Sequence, residues 1–167
     1  MIILGLDPGY AIIGYGIIEK KGSKITPISY GAITTTANTP LEERLSNINH
    51  DIKKLLSKYT IEQVAIEDLF FNKNTKTAMA VAQARGVLVT ASYDACKQVY
   101  SYTPPEIKSG VTGYGQATKS QIQYMVTKLL NLPKPPKPDD TADALAVAIC
   151  HANSHKLKYN VTQSKIK

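Results

Sequence analysis

Four acidic side chains stand where phosphate chemistry needs them: Asp7, Glu67, Asp140 and Asp143. Asp7 closes the apolar run MIILGL, and Glu67 closes the shorter run QVAI. Asp140 and Asp143 lie three residues apart at the start of DDTADALAVAICHA, so they share one face of a first helical turn. Carboxylates brought together repel, and some are forced to hold a proton. A divalent cation removes the conflict, and carboxylate and water oxygens are the ligands that Mg²⁺ and Mn²⁺ prefer. Two such ions about 4 Å apart generate an attacking hydroxide and stabilise the leaving oxygen of a phosphoryl transfer. The expected cofactor is therefore Mg²⁺, two ions per site, with Mn²⁺ as a substitute. Each acid also has a plainer reading. Asp-Pro-Gly is a good turn, Asp140 with Asp143 could form a capping box, and Glu67 could pair with a lysine.

The elements that must position these acids follow from periodicity. Residues 2–7 (IILGLD) are nearly all apolar, as a strand covered on both faces should be. Strands over 13–20 and 24–36 follow, with a turn at Gly22. In residues 40–59 the apolar positions Leu41, Leu45, Ile48, Ile52, Leu55 and Tyr59 step by three or four, the stripe of an amphipathic helix with Thr39 as expected N-cap. A strand over 62–68 and a helix over 74–96 come next, then a strand over 98–103 and a short helix over 104–111. A helix over 118–132, a stiff PKPPKP linker and a last helix from 139 complete the set. A three-stranded meander followed by αβαβ predicts an α/β fold, a mixed five-stranded sheet of order 3-2-1-4-5 with helices on both faces. The first and fourth strands are then parallel neighbours, so Asp7 and Glu67 project from one edge, where open α/β sheets build their sites. Gly14 and Gly16 in the second strand fit close approach by another backbone or a ligand, and a phosphate backbone is the expected visitor.

The 167 residues suit one domain, expected over 1–153, with a polar, poorly ordered basic tail over 154–167. Twenty basic against 13 acidic residues give a net charge of +7, which points to a polyanionic partner, nucleic acid first. The two cysteines are too few for a disulfide framework and favour a reducing compartment, so a cytoplasmic location is expected. No apolar run is long enough for a membrane span, so no membrane partner is expected. Cys150 with His151 and His155 has a zinc-like spacing but too few further ligands to count as a site.

The four blocks GLDPGYAIIGYG, AIEDLFFNKNTKTAMAVAQARGV, TGYGQATKSQIQYMV and DDTADALAVAICH resemble the RuvC family of bacterial Holliday-junction resolvases, from residue 2 to about 152. The resemblance implies a ribonuclease-H-like fold. It also implies a homodimer that binds four-way junction DNA and cuts two strands of like polarity symmetrically, leaving 5′-phosphate and 3′-hydroxyl ends. It implies the branch-migration proteins RuvA and RuvB as partners. The family's acidic quartet falls on Asp7, Glu67, Asp140 (rather than the adjacent Asp139) and Asp143. Its aromatic DNA contact falls on Phe70, and its basic residues near the scissile phosphate fall on Lys108 and Lys119. Tyr10-Ala11 departs from the residues usual after Asp-Pro-Gly, which puts in question what that loop touches.

Physical reading adds roles around the acids. Lys119 starts a helix whose N-terminus already favours anions. Lys73 and Lys76 are placed to steer a DNA backbone beside Phe70, which can stack on an unpaired base. The Ala-rich 74–96 helix is apolar over more surface than one small domain can cover, so it is expected to form a two-fold interface. Two rivals share parts of the pattern: the phosphate loop of actin-like ATPases, which needs a second lobe, and a related nuclease acting on ribosomal RNA precursors. A nucleic-acid-binding module without catalysis is the third, and the intact acidic set argues against it.

Overall fold

The computed structural model describes residues 1–69, 75–96 and 98–165; the side chains of Thr75, Lys76 and residues 155–165 lie outside the described set. In chain order the elements are β1 (Ile2–Asp7), β2 (Ile12–Lys21), β3 (Lys24–Thr34), α1 (Leu41–Lys58), β4 (Gln63–Glu67), α2 (Thr75–Cys96), β5 (Val99–Tyr102), α3 (Pro104–Thr112), α4 (Lys119–Leu129) and α5 (Asp139–Lys165). They form the expected mixed sheet, in the order β3-β2-β1-β4-β5. β1–β2 and β2–β3 are antiparallel, while β1–β4 and β4–β5 are parallel.

Both sheet faces are covered, and the strand residues divide between them by the two-residue period. Leu4, Leu6, Ile13, Ile17, Val64 and Ile66 pack against Ile48, Ile52, Ala84 and Leu88 of α1 and α2. Ile3, Ile18, Ala65 and Tyr102 face α3, α4 and α5 on the other side. α5 is enclosed on all sides there: every residue from Ala144 to Ala152 is at most 1 % exposed. This explains why the run ALAVAIC carries apolar residues all round instead of on one stripe. His151 is fully buried within it. Its Nδ1 lies 2.8 Å from the Tyr102 hydroxyl and its Nε2 lies 2.7 Å from Gln63 Oε1. An amide oxygen only accepts, so Nε2 carries the proton and Nδ1 accepts from the tyrosine. The ring thus ties α5 to β4 and β5, which leaves neither nitrogen for the zinc-like spacing noted above.

The glycines of β1 and β2 correct one expectation. They admit a helix, not a phosphate backbone. A Cβ at Gly5 would collide with the Ala144 carbonyl and come within 2.7 Å of Ala148 N. A Cβ at Gly14 would collide with the Asp140 carbonyl, and one at Gly16 would meet Leu145 at 2.6 Å. α5 therefore lies with its backbone against the sheet, and its first turn is pinned to the start of β2.

Two further differences have simple causes. Thr39 does not cap α1: Pro40 takes the cap position without a side-chain bond, and Thr39 Oγ1 donates to the Thr36 carbonyl at 2.9 Å. The backbone of α5 stays helical beyond residue 154, where the sequence reading starts its tail. No glycine or proline interrupts 139–165. Tyr10, the residue outside the family pattern, packs inward. Arg44 of α1 sits 4.4 Å above its ring, and Thr35 Oγ1 donates to its carbonyl at 2.7 Å. Among the described residues no helix is long and apolar enough to cross a membrane.

Gly14→Ala should therefore destabilise the protein by about 1–3 kcal/mol, the usual cost of overpacking a close contact. Urea unfolding measures this, and an unchanged midpoint would show that α5 can lift off the strand freely.

Candidate functional site

Register places the first two acids side by side. Leu6 pairs with Ile66 across the parallel β1–β4 ladder, so Asp7 and Glu67 are the next residues on neighbouring strands. Their backbones are about 4.8 Å apart, the ordinary strand spacing. Asp143 reaches the same place from α5, one turn into the helix that Gly14 holds down. The three carboxylates line a cavity of about 230 Å³, which Lys108 of α3 and Lys119 of α4 also line. Ile107, Ile122 and Ala146 form its apolar floor.

The electrostatics are those of crowded, desolvated acids. Burial first, then the charges of Glu67, Asp143 and Asp140, push the Asp7 carboxyl up to about 8. Burial and Asp143 raise Glu67 to about 7, against a hydrogen bond to Asp7 and the charge of Lys108. Two carboxyls can share a hydrogen bond only if one keeps its proton, so Asp7 and Glu67 titrate as a pair. Asp143 is also raised, chiefly by burial, with Lys119 opposing. Lys119 Nζ lies 3.0 Å from Asp143 Oδ2 and 3.6 Å from Asp139 Oδ2. Burial lowers its ammonium, but the bond to Asp143 and the surrounding acids outweigh this, so the net shift is upward.

The expectation that all four acids converge holds in part. Asp140 acts on Asp7 through its charge but does not line the cavity. Among the described residues no three Asp, Glu, His or Cys groups stand close enough to hold one metal ion. Asp143 instead meets the ammonium of Lys119 and Asp7 meets Glu67, so a proton and a lysine relieve the repulsion. The donor chemistry still suits a hard divalent cation: carboxylate oxygens only, poorly solvated, with more negative charge than the site can carry unprotonated. Asp139, the neighbour of Asp140, does not line the cavity, although Lys119 reaches it as well as Asp143. Its Oδ1 takes a bond from Lys137 at 2.8 Å, and it is absent from the groups that raise Asp7. The capping-box reading of Asp140 and Asp143 fails, because α5 already begins at Asp139.

Around the acids, α4 enters with a capping box in which Thr118 accepts from Gln121 N and Gln121 reaches back to Thr118 N at 2.8 Å. This fixes the first turn that carries Lys119. α3 begins with a second such box, Thr103 with Glu106, in the turn that precedes Lys108. Phe70 and Lys73 lie outside the described residues. Lys76 belongs to the first turn of α2, with its side chain outside them.

Sequence reading passed over Arg85. Its Nη2 donates to Asp68 Oδ1 at 2.6 Å and to Ser101 Oγ at 2.7 Å, and its Nε donates to the Glu67 carbonyl at 3.1 Å. The available signal was compositional: only two of the 20 basic residues are arginine.

Comparison with known proteins agrees with this geometry. Residues 3–151 match the family described as crossover junction endodeoxyribonuclease RuvC. A RuvC of Clostridioides difficile is 58% identical over 158 residues, covering 95% of this chain and 94% of the relative. One from Halothermothrix orenii is 53% identical over 157 residues, covering 94% and 95%. The solved structure of Thermus thermophilus RuvC in complex with Holliday junction substrate superposes with a TM-score of 0.88 at 32% identity, covering 95% of this chain and 96% of that one. With its ribonuclease-H-like sheet, its acid-lined edge and relatives of this similarity along nearly its whole length, the chain belongs to the RuvC family of crossover junction endodeoxyribonucleases.

Proposed function

We propose that this chain resolves four-way DNA junctions as a homodimer, each protomer hydrolysing one phosphodiester with divalent ions held by Asp7, Glu67, Asp140 and Asp143. The observation that carries this reading is the meeting of Asp7, Glu67 and Asp143, from three separate elements, in one cavity that also presents Lys108 and Lys119. Divalent-metal dependence goes with the family, and Mg²⁺ is the ion we assign, two per site, with Mn²⁺ able to replace it. Bound there, the ions supply an activated water and charge compensation for the leaving oxygen.

The chain's own residues do the rest. The carboxylates of Asp7 and Glu67 give up their shared proton when they become ligands. Lys119 stands beside Asp143 at the N-terminal end of α4, where the helix field adds to its charge, so it can hold a non-bridging phosphate oxygen. Lys108 lines the cavity with Glu67, acts on it through its charge and holds the neighbouring phosphate in this reading. The apolar floor limits water around the reacting group. The Thermus RuvC solved with a Holliday junction supports the substrate class. Phe70, Lys73 and Lys76 remain assigned as DNA contacts, Phe70 by stacking. Residues 1–153 form the nuclease unit in this reading. RuvA and RuvB are the assigned partners on the junction.

A dimer places two sites on two strands. On α2, Met79, Gly86 and Tyr93 recur at seven-residue spacing on the solvent side, and Met79 is 70 % exposed. Such a stripe suits an isologous contact with a second copy.

Three measurements test this reading. Asp7→Asn should cut cleavage of a synthetic immobile junction in Mg²⁺ by at least about a hundredfold, with binding in chelator preserved; retained cleavage refutes the mechanism. Met79→Glu should convert a sedimenting dimer into monomer, and a wild-type that sediments as a monomer at micromolar concentration removes the two-fold. The third is a pH test. Raised acids keep protons in the folded state that the unfolded chain has lost, so stability falls as pH rises from about 4 towards the folded values near 7 and 8. In chelator, Asp7→Asn should therefore gain melting temperature relative to wild type as pH goes from 5 to about 8. Added Mg²⁺ should reverse that gain, and a difference independent of pH in chelator would mean the acids are not desolvated.

A further inference from the structure

Glu67 is the last residue of β4, a strand of five residues, and the chain leaves the sheet directly after it. An acid at such a place needs something to hold its backbone. The β5 strand supplies it: Asp68 N donates to the Tyr102 carbonyl at 2.8 Å. Arg85 of α2 adds a second hold. Its Nε bonds the Glu67 carbonyl at 3.1 Å, and its Nη2 bonds Asp68 Oδ1 at 2.6 Å and Ser101 Oγ at 2.7 Å. One guanidinium thus joins the end of β4 to β5 and to α2. The side chain is only 22 % exposed, so its bonds are made in partial shelter from water. Its charge also cancels that of Asp68, the acid next to Glu67 along the chain. A lysine cannot do this, because the three acceptors call for a planar fork with fixed directions. That fits the use of arginine in a chain where lysine supplies nearly all other cations.

We propose that Arg85 is a positioning residue: by clamping the carbonyl of Glu67 and the side chains of Asp68 and Ser101, it presents the Glu67 carboxylate beside Asp7 for divalent-ion binding. This rests on the reading of Glu67 as a metal ligand. The Nε and Nη2 donors of Arg85 are taken up by protein acceptors, so its assigned role is to hold Glu67 rather than to meet ion or phosphate.

The test is Mn²⁺ titration of the DNA-free full-length protein by calorimetry, beside junction binding in chelator and thermal melting. The proteins are wild type, Glu67→Gln, Arg85→Gln, Arg85→Lys and Ser101→Ala. Glu67→Gln should abolish high-affinity Mn²⁺ binding. Arg85→Gln should weaken Mn²⁺ affinity about tenfold, as loss of a group that orients a ligand usually does. It should raise the Mn²⁺ concentration for half-maximal cleavage by the same factor, with junction binding in chelator unchanged. Arg85→Lys should fail to rescue, and Ser101→Ala should show a smaller weakening, about twofold to threefold. If Arg85→Gln does not fold, Arg85→Lys and Ser101→Ala carry the same comparison. Mn²⁺ isotherms of the Arg85 and Ser101 variants that match wild type, while Glu67→Gln has lost binding, overturn the positioning role and leave the metal site standing. Wild-type Mn²⁺ binding by Glu67→Gln overturns the metal-ligand reading and the positioning role with it.

Discussion

The rest of the structure depends on one contact, the backbone of α5 lying against the glycines of β1 and β2. Side chains normally hold a helix backbone away from the sheet it packs on. Here Gly5, Gly14 and Gly16 remove them, and the carbonyls of Asp140 and Ala144 come down onto the strands. From Ala144 to Ala152 the helix is then enclosed, so that stretch is apolar in nearly every direction. Its first turn cannot slide, because Gly14 sits one strand over from Asp7 in the β1–β2 register. The position of Asp143 over the sheet edge is thus a packing result before it is a chemical one.

That packing sets up an electrostatic conflict. Three carboxylates are held where water solvates them poorly, and the site answers with a shared proton and a lysine. Such a site is expensive in the absence of a cation. Folding free energy goes into an arrangement that the proton and the lysine relieve only in part, which is the usual relation between stability and a functional site. The lysines give the same cavity a second character. They soften the charge of the resting site, and they are the groups a phosphate would meet first. A basic chain of net charge +7 with an acidic hollow therefore involves no contradiction: in the proposed reading the surface attracts the polyanion, and the hollow would hold the ions that act on it.

Much of this was legible in the sequence. The order of strands followed from connection rules, because a meander and two crossovers leave few alternatives. The acids were legible because two close apolar runs and two lie at helical spacing. The glycines were read correctly as close-approach positions but given the wrong visitor, since spacing says that room exists and not what fills it. Thr39 looked like a cap because its type and place were right, and Pro40 took the position instead. Arg85 was invisible for a different reason. Its partners, Glu67, Asp68 and Ser101, lie 16 to 18 residues away along the chain and meet it only after β4 and β5 pair. His151 looked like part of a metal spacing, and its true partners, Tyr102 and Gln63, are likewise distant.

The sequence by itself determined which residues can do chemistry and which edge of the sheet they share, because strand ends and helical spacing are local properties of the chain. It also determined family membership, through four blocks kept in order. Only the tertiary structure decided how far the acids are desolvated, which of them Lys119 touches, that Asp139 pairs with Lys137, and what holds the end of β4. These depend on distances between segments far apart in the chain. A carboxylate's proton affinity, and a guanidinium's choice of partner, are set by what folding brings within a few ångströms and by how much water it removes.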